Sequence, residues 1–214
     1  HNIAANYVGH PMSDQLPMEP DRKAARKRLG LPESARVLAL LPGSRSGEVE
    51  RIARPFLLTA VEVSAQLDGL QVVVPLVNKM TRSLFEEKAA PFNSQLELTL
   101  VDRHATDVMA AADVILLASG TATLQGLLSK RPMVVGYRLN ILTYALIKLF
   151  RMIKIPYVAI ANLLCGEMLA PEFIQKRCRA ELMTPAVLQM FGNDEQISSI
   201  EQRYADIHRQ LRRD

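Results

Sequence analysis

Short apolar runs alternate with longer amphipathic stretches through the middle of the chain. RVLALL (36–41), LQVVVPL (70–76), LELTLV (96–101), VILLAS (114–119) and PMVVGY (132–137) are rich in Val, Ile and Leu, and most lack a polar face. Such runs predict strands buried on both sides, as in a parallel sheet. Helical stretches follow the first four, at residues 48–67, 81–90, 105–112 and 121–130. The alternation predicts an α/β fold: a doubly wound parallel sheet with right-handed crossovers and helices on both faces. DRKAARKRLG (21–30) predicts a shorter helix ahead of the sheet, with Gly30 as its C-cap. After Tyr137 the pattern changes. ILTYALIKLFRMIKI (141–155) reads as a strongly apolar helix, and a polar helical tail begins at Thr184. The expected division is therefore a sheet domain over 1–183 and a C-terminal helical tail over 184–214.

Composition narrows the function classes. The 214 residues are 49% hydrophobic, enough for a sizeable core. A net charge of +4 permits an anionic ligand or membrane surface without demanding either. Aromatics make up 5% with no Trp, so the stacking platforms of a single-strand nucleic-acid binder are missing and no nucleic acid is expected. Cys165 and Cys178 form neither a disulfide framework nor a CxxC metal pair, which suits a reducing cytosol. The chain opens at His1 rather than Met and reads as a piece whose N-terminal part is absent. No signal peptide and no run of 18 apolar residues is found in it.

In a parallel sheet, ligands sit outside the carboxyl ends of the strands. Two such ends carry polar chemistry. The first run breaks at Pro42-Gly43 and exposes Ser44 and Arg45 ahead of a helix. The fourth ends in Ser119-Gly120-Thr121 and opens onto the helix containing Gln125. Gly120 admits a ligand close to the backbone, the two hydroxyls flank a helix start, and the helix dipole favours an anion there. Gln125, one turn on, faces the same side. Together they describe a diphosphate cradle; taken alone, Ser119-Gly120-Thr121 is equally a helix cap. There is no GxxxxGKS/T loop and no GxGxxG after a strand. There is also no DxD pair and no His/Cys cluster, so neither a metal nor another cofactor is expected. A diphosphate handled without Mg²⁺ needs a fixed cation, and Arg45 can supply it.

Other residues carry two readings each. His10 before Pro11 is either a ligand contact or a hinge position. Tyr137 and Arg138, at a strand end, either hold a base or phosphate or close the loop. His104 and His208 read as surface residues, and the methionines as core.

VGHP (8–11), LALLPGSRSGEVE (38–50), VVPLVN (73–78), LLASGTATLQ (116–125), KRPMVVGYR (130–138) and NLLCGE (162–167) resemble the C-terminal half of the lipid-A-disaccharide synthase family. The resemblance runs over nearly the whole chain, with its motifs in order, and is weakest after Thr184. It implies a Rossmann-like domain of the GT-B glycosyltransferase fold. It also implies transfer of the sugar of UDP-2,3-diacylglucosamine to 2,3-diacylglucosamine 1-phosphate, with release of UDP. Ser44, Arg45, Ser119, Gly120 and Thr121 would then surround the diphosphate, with Arg45 and Ser44 assisting departure of UDP. Gln125 stands where this fold commonly has a Glu for the ribose hydroxyls, and Asn162 and Glu167 lie in a motif used near the donor sugar. The general base and the acceptor pocket are expected in an N-terminal domain absent from this chain, so the chain alone is expected to be inactive.

Lipid substrates imply work at the cytoplasmic face of the inner membrane, and a homodimer is compatible with that. Lys148, Arg151 and Lys154 beside Leu146, Leu149, Phe150 and Ile153 fit either a helix resting on anionic lipid or a buried helix whose cations snorkel outward. Two further readings stay open: another GT-B UDP-sugar enzyme, such as a peptidoglycan N-acetylglucosaminyltransferase or an epimerase, and a UDP-sugar-binding domain without catalysis.

Overall fold

The computed structural model describes residues 9–140 and 156–213. The helix expected at 141–155 lies outside the described residues. The strands are β1 (Arg36–Leu41), β2 (Leu70–Leu76), β3 (Leu98–Asp102), β4 (Val114–Ala118), β5 (Met133–Tyr137) and β6 (Glu172–Ile174). All pair in parallel in the order β3-β2-β1-β4-β5-β6. The five expected strands are present within two residues of their predicted ends. β6 is the addition.

The apolar runs form strands because both faces are covered. Val37 to Leu40, Val72 to Val74 and Val114 to Leu117 are fully buried. Each large side chain so buried contributes about 1.5–3 kcal/mol. The chain winds outward from β1 to β3, then returns to β4 on the other side of β1, pairing Leu38 with Val114. That reversal makes the loops after β1 and β4 leave in opposite directions and opens a crevice between them.

The helices in chain order are α1 (Pro11–Gln15), α2 (Arg22–Leu29), α3 (Ser46–Ser64), α4 (Lys79–Ala89), α5 (Ala105–Ala111), α6 (Thr121–Leu128), α7 (Ile160–Cys165), α8 (Ala180–Gly192) and α9 (Asp194–Leu211). Gly30 caps α2 in the left-handed conformation, with φ 68°. Arg26, 3% exposed, donates to Asp113 at 2.9 Å, and Asp113 accepts the Val37 amide at 2.7 Å, pinning α2 to the sheet. Cys165 and Cys178 are buried and unbonded to each other; burial pushes each thiol up to about 11.

The expected boundary at 183/184 falls inside α8. α8 packs on α3, where Thr184 donates to Glu62 at 2.6 Å. α9 packs on α6 and α7 and buries Ile200, Tyr204, Ile207, His208 and Leu211, so its polar sequence hides an apolar stripe. His208 is a core residue rather than a surface one. Among the described residues no helix is long and apolar enough to cross a membrane.

Candidate functional site

A cleft of about 570 Å³ opens at the carboxyl ends of β1 to β5. Ser44 and Arg45 line it from the β1–α3 loop, Ser119, Gly120, Thr121 and Gln125 from the β4–α6 junction, and Tyr137 from the end of β5. Residues separated by 75 positions in sequence thus share one wall, because β1 and β4 are neighbours.

The helix starts at α3 and α6 differ. At α3, Glu48 Oε2 accepts the amides of Ser44 at 3.0 Å and Arg45 at 3.3 Å. Gly43, with φ 112°, belongs to this turn; a Cβ there would lie 2.5 Å from that same oxygen. At α6 the N-cap is Gly120, which caps nothing with a side chain. Its φ of 142° is one an L side chain rarely adopts, and an added Cβ would meet nothing within 4 Å. Of the first-turn amides of α6, that of Thr123 donates to the Gly120 carbonyl at 3.0 Å, and the dipole favours an anion before those of Thr121 and Ala122.

The back of this junction is built by hydrogen bonds. Thr123 donates to the Gly120 carbonyl at 2.8 Å and accepts the Ile160 amide at 3.0 Å. Ser119 Oγ donates to the Val158 carbonyl at 3.2 Å, so its hydroxyl already has a structural partner. The Gln125 amide makes no side-chain hydrogen bond among the described residues and is half-buried at the cleft wall. Arg45 is 83% exposed, with Nη1 3.8 Å from Glu48 Oε1. An ion pair that open contributes at most about 1 kcal/mol.

Four expected site residues do not line the cleft. Asn162 is fully buried: it donates to the Ala170 carbonyl at 2.7 Å and Glu172 at 2.9 Å, and accepts the Ala170 amide at 2.9 Å. Glu172 also accepts the Val158 and Ala159 amides, so this network supports the loop behind Ser119. Glu167 is exposed and pairs with Arg203 at 3.4 Å. Arg138 donates to the Cys178 carbonyl at 2.5 Å, and its own carbonyl accepts from Arg51 at 3.0 Å. His10 caps α1, accepting the Met12 amide at 3.2 Å, and its own amide donates to the Leu211 carbonyl.

Other residues also line the cleft. Glu48 stands three positions after Arg45, the capping-box spacing. Arg103 and His104 line the cleft from the β3–α5 loop, and both adopt positive φ, 64° and 49°. Left-handed non-glycine residues cost about 1–3 kcal/mol each and persist where surrounding structure holds them. Here the Arg103 amide donates to the Leu76 carbonyl at 2.8 Å, and His104 Nδ1 lies 3.4 Å from Asp107. The strand-end rule applied to β3 would have found this pair. Leu41, Pro75 and Leu76 supply the apolar lining.

The family model of lipid-A-disaccharide synthetase matches residues 1–214. A lipid-A-disaccharide synthase of Xylella fastidiosa (strain M12) is 44% identical over 216 residues, covering 100% of this chain and 56% of the relative. The chain belongs to the lipid-A-disaccharide synthase family. It spans about half the length of the curated relatives it matches. Among solved structures, a glycosyltransferase from Rickettsia africae ESF-5 aligns with TM-score 0.57 at 9% identity, over 89% of this chain and 47% of that one. The E. coli ADP-heptose lps heptosyltransferase II aligns with TM-score 0.52 at 13% identity, over 88% and 51%. These likenesses show the fold: a lipid-A-disaccharide synthase family chain with the Rossmann-like architecture of GT-B glycosyltransferases.

Proposed function

We propose that this chain is the donor-binding part of a lipid-A-disaccharide synthase and holds UDP-2,3-diacylglucosamine in the cleft between β1 and β4. One observation carries the reading: Ser44 and Arg45 meet the start of α6 in a single cleft, in a chain of that family. The diphosphate lies before the α6 amides, with the Arg45 guanidinium and the Ser44 hydroxyl across from them. Gln125, one turn into α6, takes a ribose hydroxyl, and Tyr137 closes the β5 side.

In the reaction, the 6-hydroxyl of 2,3-diacylglucosamine 1-phosphate attacks C1 of the donor sugar. The bond from C1 to the β-phosphate oxygen breaks, UDP departs with the electron pair, and the hydroxyl proton passes to a general base. That base and the acceptor pocket belong to the N-terminal part of the whole protein. Charge on the β-phosphate grows through the oxocarbenium-like transition state, so donors held in place there stabilise it more than the ground state. A fixed guanidinium and a helix dipole neutralise the leaving group without a metal. The acylated substrates put the whole protein at the cytoplasmic face of the inner membrane as a peripheral enzyme.

Thermal protection of the chain by UDP in the presence of EDTA tests the binding half of the reading. Protection that needs added Mg²⁺ or Mn²⁺ overturns the metal-free cradle, and no protection under either condition overturns the UDP site. Turnover assayed with and without the N-terminal half separates catalysis from binding.

A further inference from the structure

The loops that lead into α3 and α6 are not equivalent. The loop just ahead of α3 is already held by an anion of its own chain. Glu48 accepts the Ser44 and Arg45 amides at 3.0 and 3.3 Å, and its side chain is 12% exposed against 83% for Arg45. The loop closes on it tightly, since only a glycine at position 43 leaves room for the carboxylate. The Arg45 carbonyl in turn accepts the amides of Glu48 and Val49 at 2.9 and 3.1 Å. A carboxylate facing a diphosphate would repel it. Here two amides and a nearby guanidinium absorb that charge, and Arg45 is the group left facing solvent.

We propose that Glu48 is a positioning residue: by occupying the Ser44 and Arg45 amides it fixes the β1–α3 loop, so that the Ser44 hydroxyl and the Arg45 guanidinium, rather than those two amides, meet the phosphates. The inference rests on the diphosphate reading of the cleft. It assigns unlike roles to the two loops: the Ser44 and Arg45 side chains act ahead of α3, and backbone amides act at α6. A glutamine at 48 keeps an acceptor of the same reach, whereas alanine frees both amides and releases the loop.

The test is UDP affinity by calorimetry at low temperature for wild type, Glu48→Ala, Glu48→Gln, Arg45→Ala and Arg45→Ala/Glu48→Ala, with folding checked by circular dichroism. The expected result is about tenfold weaker binding in Glu48→Ala, the size of a lost cap. Glu48→Gln restores most of that affinity, and Glu48→Ala adds a smaller loss once Arg45 is gone. If Glu48→Ala and Glu48→Gln both bind UDP more tightly, Glu48 competes with the phosphate and the proposal falls. It also falls if Glu48→Ala melts earlier with unchanged affinity, which is the behaviour of a helix cap alone. Equal losses with and without Arg45 overturn action through that side chain. Wild type that fails to bind UDP overturns the diphosphate reading itself, an outcome distinct from the others.

Discussion

His208 accepts a hydrogen bond at Nδ1 from the Lys130 ammonium 2.5 Å away, while its Nε2–H donates to the Ser13 carbonyl at 2.8 Å. Both residues are buried, and Lys130 also donates to the Leu128 carbonyl at the end of α6 at 2.8 Å. One imidazole therefore joins α9, α1 and the far end of the helix whose start forms the cleft. Burial first, then the Lys130 and Arg212 charges, hold His208 below its ordinary 6.5, against the pull of the Ser13 carbonyl and Asp14. Burial, with Arg131 and Arg212, likewise lowers Lys130 to about 8.

These shifts set a direction for pH dependence. Below the unfolded His pKa of about 6.5 the unfolded chain binds a proton that the folded chain resists, so stability falls as pH drops through that range. The loss is complete only when pH passes the lower, folded value. In His208→Gln the amide oxygen can accept from Lys130 and the amide nitrogen can donate to Ser13, without a titrating group. Melting temperatures from pH 8 to pH 5 should decline less in this variant than in wild type. Parallel curves would show that the imidazole does not titrate on unfolding.

Arg45 distinguishes a binding loop from a braced one. Its exposed contact with Glu48 is too open to stabilise the fold much, so Arg45→Ala should leave the melting temperature nearly unchanged. In the whole enzyme, Arg45→Ala and Arg45→Lys should both lower turnover more than substrate affinity, because Lys keeps the charge but not the fork. Loss of one transition-state donor costs about 2.7–4 kcal/mol. Steady-state kinetics beside melting curves decide it, and a fully active Arg45→Ala ends the assignment.

Gln125 is expected to take a ribose hydroxyl with an amide that has no side-chain partner among the described residues. Gln125→Ala should weaken UDP by about 1–3 kcal/mol, the cost of an unmet polar group. Gln125→Glu should retain or improve binding through a charge-assisted bond. Calorimetry that finds equal affinity in the alanine variant removes Gln125 from the ribose.

Asn162 should behave as a structural residue. Its three hydrogen bonds, two of them buried, fix the turn around Ala170 and support the loop behind Ser119. Asn162→Ala should lower stability by about 1–3 kcal/mol, since the groups it leaves are buried. UDP affinity of the folded variant, measured well below its melting temperature, should change less than about threefold, near or below 0.6 kcal/mol. A large loss of affinity with an unchanged melting curve would return Asn162 to the sugar site.

Periodicity was sufficient for β1 to β5, because strands covered on both faces must be apolar at consecutive positions. The rule that ligands sit at strand ends also located the loops that bring Ser44, Arg45 and Ser119 to Gln125 to the cleft. The three-residue β6 carries no such signal: Glu172 and Ile174 are half-exposed around a buried Phe173, and the strand exists only because β5 offers it an edge. Local pattern was equally silent on Asn162 and His208, whose polar atoms find partners across 8 and 195 positions of sequence. A polar residue is read as exposed or functional until packing supplies those partners. Tertiary structure alone decided that the ends of β1, β3 and β4 share one cleft. Such choices depend on which groups meet in space, and strand order, not sequence distance, sets that.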